Sequence, residues 1–159
     1  MAKVIVVYES KYGNTKRVAE TIIEGMREVE GIDTVLSELK EVDPNTIRDY
    51  DAILVGSPNH IGGPTRSVNK FIDTLGKLSL KGKLVAVFDT YIGKDSEKAV
   101  KKMEKRITEK APNLKLVTSG LSIKVRGMRG PILEEELPKC NEFGNKIATQ
   151  IKKLETAKV

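Results

Sequence analysis

Three short runs, residues 4–8, 52–57 and 84–88, are almost purely apolar and rich in valine, isoleucine and leucine. A strand with one wet face alternates apolar and polar residues. These runs do not alternate, so they read as strands buried on both sides. Two further β-branched stretches, 34–39 and 114–125, complete the set, the last with a break near Gly120. Between the runs lie apolar stripes at three- and four-residue spacing: Val18, Ile22, Met26 and Val29; Val68, Ile72 and Leu75; Val100, Met103 and Ile107; and Cys140, Phe143, Ile147, Ile151 and Leu154. That spacing is one face of a helix. Residues 43–49 read as a further small helix, with Asp43 as its cap and Pro44 at its first position. Strands alternating with helices fold as right-handed βαβ units. The chain is therefore expected to be α/β, with a doubly wound, five-stranded parallel sheet and helices on both faces.

No repeat, low-complexity tract or linker interrupts the 159 residues, which predicts a single domain over 1–159. Charged residues make up 31% of the chain and are mixed in sign, as in Glu97-Lys98 and Glu104-Lys105-Arg106. The net charge of +6 therefore reads as solvated helix faces rather than a surface for nucleic acid. The apolar run at 4–8 is far too short for a signal segment or a membrane span. Cys140 is the one cysteine, so no intrachain disulfide forms. On the apolar stripe of the last helix it reads as core, not as a reactive thiol. A reducing compartment, and hence the cytoplasm, is the expected location.

In doubly wound sheets a ligand lies beyond the carboxyl ends of the strands, where the strand order switches direction. Three turns are expected to meet there: 9–15, 58–64 and 89–95. The first contains Ser10-Lys11-Tyr12-Gly13-Asn14-Thr15 and leads straight into a helix. Free amides at the helix start, two hydroxyls, an amide side chain and a flexible glycine together suit a phosphate. An ordinary turn capped by Thr15 has the same composition. Neither GxxxxGK nor GxGxxG is present there, which argues against a P-loop and a dinucleotide fold.

The run Val6 to Thr15, followed by Ala19 and Ile22, resembles the N-terminal signature of the flavodoxin family. Gly56-Ser57-Pro58 looks like that family's second flavin loop and Val87-Phe88-Asp89-Thr90-Tyr91 like its third. Ser119 to Ile123 is similar to the fifth-strand region, and Glu142-Phe143-Gly144 sits in a last helix of the expected kind. The insertion that splits strand five in long-chain members is missing, as in the short-chain type. The Gly62-Gly63 form of the second loop is similar to the flavodoxin domains of flavo-diiron proteins. The resemblance implies the strand order 2-1-3-4-5 and one FMN. By that resemblance Ser10, Tyr12, Gly13, Asn14 and Thr15 hold the phosphate, with Lys11 contributing its backbone first. Ser57, Pro58, Asn59, His60, Ile61 and Gly62 meet the ring edge and one face. With no tryptophan in the chain, Asn59 or His60 stands near the place where the family packs a side chain on the ring. Tyr91 stacks on the flavin, Asp89 and Thr90 offer backbone groups to its pyrimidine end, and Gly93 belongs to the same loop. His60 has no partners in sequence for a metal.

The function implied is a low-potential electron carrier between redox proteins. The reactive chemistry then belongs to the cofactor, and no catalytic or metal-binding residue is expected. Two other classes share parts of the pattern. FMN-dependent NAD(P)H:quinone reductases have similar first and second loops but longer connections and tetrameric assembly. A flavin-free binding module would have no use for the first-turn signature. A monomer or weak homo-oligomer is expected. The loop Lys124 to Gly130, with Lys11 and Lys94, forms either a basic rim that suits an acidic partner or a plain solvated loop. In many family members a glycine of the second loop turns its peptide on reduction. His60 stands near that position, and a non-glycine residue at positive φ costs about 1–2 kcal/mol. This predicts a hindered turn and a smaller gap between the two one-electron potentials.

Overall fold

The structure is a computed structural model and describes residues 1–157; the last two residues of the expected domain, 158 and 159, lie outside the described ones. Strands β1 (Ala2–Tyr8), β2 (Ile32–Glu38), β3 (Ala52–Pro58) and β4 (Leu84–Tyr91) pair in parallel in the order β2-β1-β3-β4. Two short strands, β5 (Lys115–Leu116) and β6 (Leu121–Lys124), both pair in parallel with β4. They are two pieces of the one stretch expected at 114–125, parted around Gly120. The expected 2-1-3-4-5 order is therefore present, with its fifth strand in two segments.

The alternation of side chains along β1 divides the core in two. Val4, Val6 and Tyr8 pack with helices α1 (Asn14–Met26) and α4 (Leu137–Ala157) on one face. Ile5 and Val7 pack with α2 (Arg66–Gly76) and α3 (Lys98–Lys110) on the other. The inner strands are apolar on both sides because both sides are covered. Residues 44–49 form the expected short helix, of 3-10 type, and the Asp43 carboxylate accepts from Asn45 N at 3.0 Å. Helices α1 and α4 touch backbone to backbone. A Cβ at Gly144 would stand 1.9 Å from the Ile22 carbonyl oxygen, and one at Gly25 would stand 1.9 Å from that of Asn141.

Helix α3 follows Glu97, which has φ 64° and gives no side-chain cap. The cap comes from the end of β4. Asp89 is fully buried, and its Oδ2 accepts from Val100 N at 3.0 Å while Oδ1 accepts from Ser122 Oγ at 2.6 Å. Ser122 Oγ in turn accepts from Glu97 N at 2.8 Å. The helix start thus sees a negative charge where its dipole favours one. Burial nevertheless pushes the Asp89 carboxyl up to about 6, against the lowering effect of those two hydrogen bonds.

Two predictions follow from this packing. Gly144→Ala places a methyl group into a backbone oxygen and should cost about 1–3 kcal/mol or more of unfolding free energy, measured by urea titration. For Asp89, the folded chain holds the proton up to about pH 6, whereas the ordinary value is 3.8. Folding takes up a proton between those values, so this group's contribution falls as pH rises through the window, by about 3 kcal/mol in all. Asp89→Asn removes that slope. The stability of the variant minus that of the wild type should rise from pH 4 to pH 7 and then level off; a flat difference contradicts the assignment.

Candidate functional site

A cleft of about 370 Å³ opens at the carboxyl ends of β1, β3 and β4. That size lies within the range of small-molecule sites. Four segments build it: the turn after β1, the loop after β3, the loop after β4, and the loop that follows β6.

Gly13 takes the left-handed conformation, φ 92°, and so turns the chain into α1. Ser10 Oγ accepts from Gly13 N at 3.0 Å and Lys16 N at 3.3 Å, which fixes the turn. The amides of Asn14 and Thr15, at the start of the helix, have no hydrogen-bond acceptor among the described residues. Thr15 is buried, and its hydroxyl lies 2.9 Å from that of Thr90 on β4. The Tyr12 ring stands outside the turn, with Lys11 Nζ 5.4 Å and the Arg129 guanidinium 5.7 Å from its centroid. Both cations are within reach of the ring's negative face.

In the second loop His60 N donates to Gly63 O at 2.6 Å, and Gly63 N donates to His60 O at 3.3 Å. The residues inside this tight turn, Ile61 and Gly62, have φ 50° and 74°. The positive φ expected at His60 thus falls one and two residues later. A mirror-image turn of this kind requires positive φ at both inner positions. Asn59 N donates to Thr90 O at 2.7 Å, and Asn59 Nδ2 to Asp95 Oδ2 at 2.9 Å. Asn59 Oδ1 is buried without a partner among the described residues, an acceptor left over at the cleft wall. Lys98 Nζ, 2.8 Å from Asp95 Oδ1, bonds that carboxylate and holds it below the usual range, helped by Asn59.

The loop after β6 folds back on itself through Arg126 N to Pro131 O at 3.1 Å and Gly130 N to Gly127 O at 2.9 Å. Val125 N donates to Tyr91 O at 2.8 Å, which ties this loop to the third. A Cβ at Gly130 would lie 2.3 Å from Asn14 Oδ1, so the loop also rests directly on the first turn.

Of the residues expected at the site, Ser10, Lys11, Tyr12, Asn14, Thr15, Pro58, Asn59, His60, Ile61, Thr90 and Tyr91 line the cleft together. Gly13, Ser57, Gly62, Asp89 and Gly93 do not. Gly13 and Gly62 shape their turns. Ser57 Oγ is spent on Thr65 N and Pro58 O, at 3.1 and 2.9 Å. Gly93, also at positive φ, sits in the exposed part of its loop. The Asp89 side chain faces α3, and the Thr90 carbonyl accepts from Asn59 N. Side-chain alternation along β4 contains this signal. Thr90 points toward α1, which sends Asp89 to the opposite face. Ile92, Asp95, Val125, Gly127 and Met128 line the cleft without having been singled out as site residues. The first two lie within the expected turn 89–95, and the others lie in the loop read as a basic rim.

Among the described residues no cluster of His, Cys, Asp and Glu side chains could hold a metal, and no helix is long and apolar enough to cross a membrane. Cys140 is buried in α4, as expected, and desolvation pushes its thiol up to about 12.

A flavodoxin from the domain Archaea superposes with a TM-score of 0.80 at 28% identity, over 94% of this chain and 99% of that one. The flavodiiron protein from Giardia intestinalis superposes with a TM-score of 0.77 at 25% identity, over 93% of this chain and 36% of that longer one. A curated flavodoxin of Aquifex aeolicus (strain VF5) is 34% identical over 93 residues, which are 57% of this chain and 50% of that protein. The chain thus spans only half the length of that curated relative. Residues 5–124, well over half of the chain, match the family model described as a flavodoxin domain. On these grounds the chain belongs to the flavodoxin domain family.

Proposed function

We propose that this chain is a single FMN-binding domain over 1–159 that carries electrons between redox proteins in the cytoplasm. The observation that carries the reading is the turn from Ser10 to Thr15. It closes a helix start around partnerless amides, beside a slot of a size that suits a planar ring. The residues present fit the cofactor. The amides of Asn14 and Thr15, with the Thr15 hydroxyl, suit its phosphate, and the helix dipole adds to their pull on an anion. Tyr91 and Tyr12 offer flat faces on the wall of the slot. Asn59 Oδ1 offers an unspent acceptor to a ring N–H. Bound FMN supplies one- and two-electron chemistry, and the protein's part is to hold the ring, limit water and set the field. The lone, buried cysteine accords with a reducing compartment.

A flavin titration tests the reading. Ser10→Ala with Thr15→Ala removes one group that fixes the turn and one that faces the phosphate. FMN affinity should fall by several kcal/mol, since bonds to a charged group are worth about 1.5–3 kcal/mol each. Riboflavin, which lacks the phosphate, should bind the double variant and the wild type alike. Unchanged FMN affinity would remove the assignment. An NADH–quinone assay on the loaded protein then separates a carrier from a reductase, and the carrier reading predicts negligible turnover.

The field around the cleft makes a second prediction. Exposed cations on the loops around it, such as Lys94 in the loop after β4, favour the added negative charge of reduction, each by roughly 20 mV at about 10 Å in water, and salt screens the effect. Lys94→Glu should therefore move the second one-electron potential tens of millivolts more negative at low salt. Anaerobic dithionite titration against reference dyes reads it, and a potential that did not move would contradict the argument.

A further inference from the structure

Four of the large apolar side chains that stand exposed on this protein line one opening: Tyr12, Ile61, Ile92 and Met128. Ile61 is 92% exposed and Met128 is 70% exposed. An apolar cluster of this kind, rimmed by charge, marks a contact surface more often than chance. Ile61 adds a separate argument. It sits at φ 50°, where a β-branched side chain is a genuine outlier and glycine or asparagine carries little strain. Strain that buries nothing within the chain is kept where the side chain has a use.

The rim is positive. Lys11, Lys94, Arg126 and Arg129 stand exposed on the wall loops, and none has an ion-pair partner among the described residues. Of the acids nearby, Asp95 is paired with Lys98 and Glu97 with Lys101, and Asp89 is buried under α3, while Glu9, which accepts from Thr65, keeps its charge. Opposite charge around an apolar centre sets orientation and speeds encounter.

We infer that the cleft mouth is the docking face for an acidic redox protein, with carboxylates set around a small apolar patch that receives Ile61. This rests on the electron-carrier reading above, whereas its test does not. Binding is read directly, by isothermal titration of the protein, with and without FMN, against an acidic plant-type ferredoxin as probe and basic cytochrome c as the opposite. Between about 20 and about 300 mM salt, ferredoxin affinity should fall at least tenfold. Cytochrome c should bind at least tenfold more weakly than ferredoxin at the lower salt. Arg126→Glu with Arg129→Glu should weaken ferredoxin binding about tenfold, and Ile61→Gly several-fold at saturating FMN. Ferredoxin affinity that ignored salt or the charge reversals, tighter binding of cytochrome c, or an Ile61→Gly variant that docked like the wild type would overturn the proposal. A chain that took up no FMN yet showed the expected pattern would remove the cofactor reading and leave the docking face standing.

Discussion

Burial of β1, β3 and β4 on both faces is the constraint from which the rest of the architecture follows. A strand with no wet side needs a helix layer above and below, and parallel strands need crossovers long enough to supply those helices. Val4 and Val6 serve one layer while Ile5 and Val7 serve the other, so a slip of one residue would exchange the two cores. The register of β1 with β3 is thereby fixed. With it, the carboxyl ends of the strands stop at a common level, and the turns that leave them have one place to go. The cleft is a by-product of core packing before it is a site for anything.

Much of this was legible in the sequence because it is local. Apolar runs and helical stripes each lie within a few residues, and they form the elements expected of them, although α1 stops at Met26, short of Val29, and β2 spans Ile32–Glu38 rather than 34–39. Asp43 caps its short helix as its position suggested. What stayed hidden depends on partners far along the chain. Ile61 rather than His60 takes the positive φ because the turn closes between His60 and Gly63, a pairing that spacing alone does not fix. The Asp89 carboxylate caps α3 through Val100 N and accepts from Ser122, neither of which is near it in sequence. Asp95 lies within the expected turn 89–95, but what ties it into the wall is a bond from Asn59 on another loop.

The walls of the cleft are tied to one another and to the end of β4. Asn59 bonds Thr90 and Asp95, Val125 bonds Tyr91, Thr15 bonds Thr90, and Asn14 lies against Gly130. Each loop is thus braced by the next, which suits a ligand whose parts contact different loops. Bracing of this kind lowers the entropy lost when a ligand orders the site.

The glycine contact between α1 and α4 has a reach beyond its own neighbourhood. Because Gly25 and Gly144 let the two backbones meet, the axis of α4 is set by main-chain atoms that do not compress. Just before α4, the Glu136 carboxylate accepts from Lys124 N at 3.1 Å, and Lys139 Nζ bonds its other oxygen. Helix α4 is therefore a strut, with its length anchored on the first helix and its end bearing on the strand that leads into the Arg126–Gly130 loop. The height of that loop above the cleft is gauged from the contact between α1 and α4, by two positions where a side chain is missing.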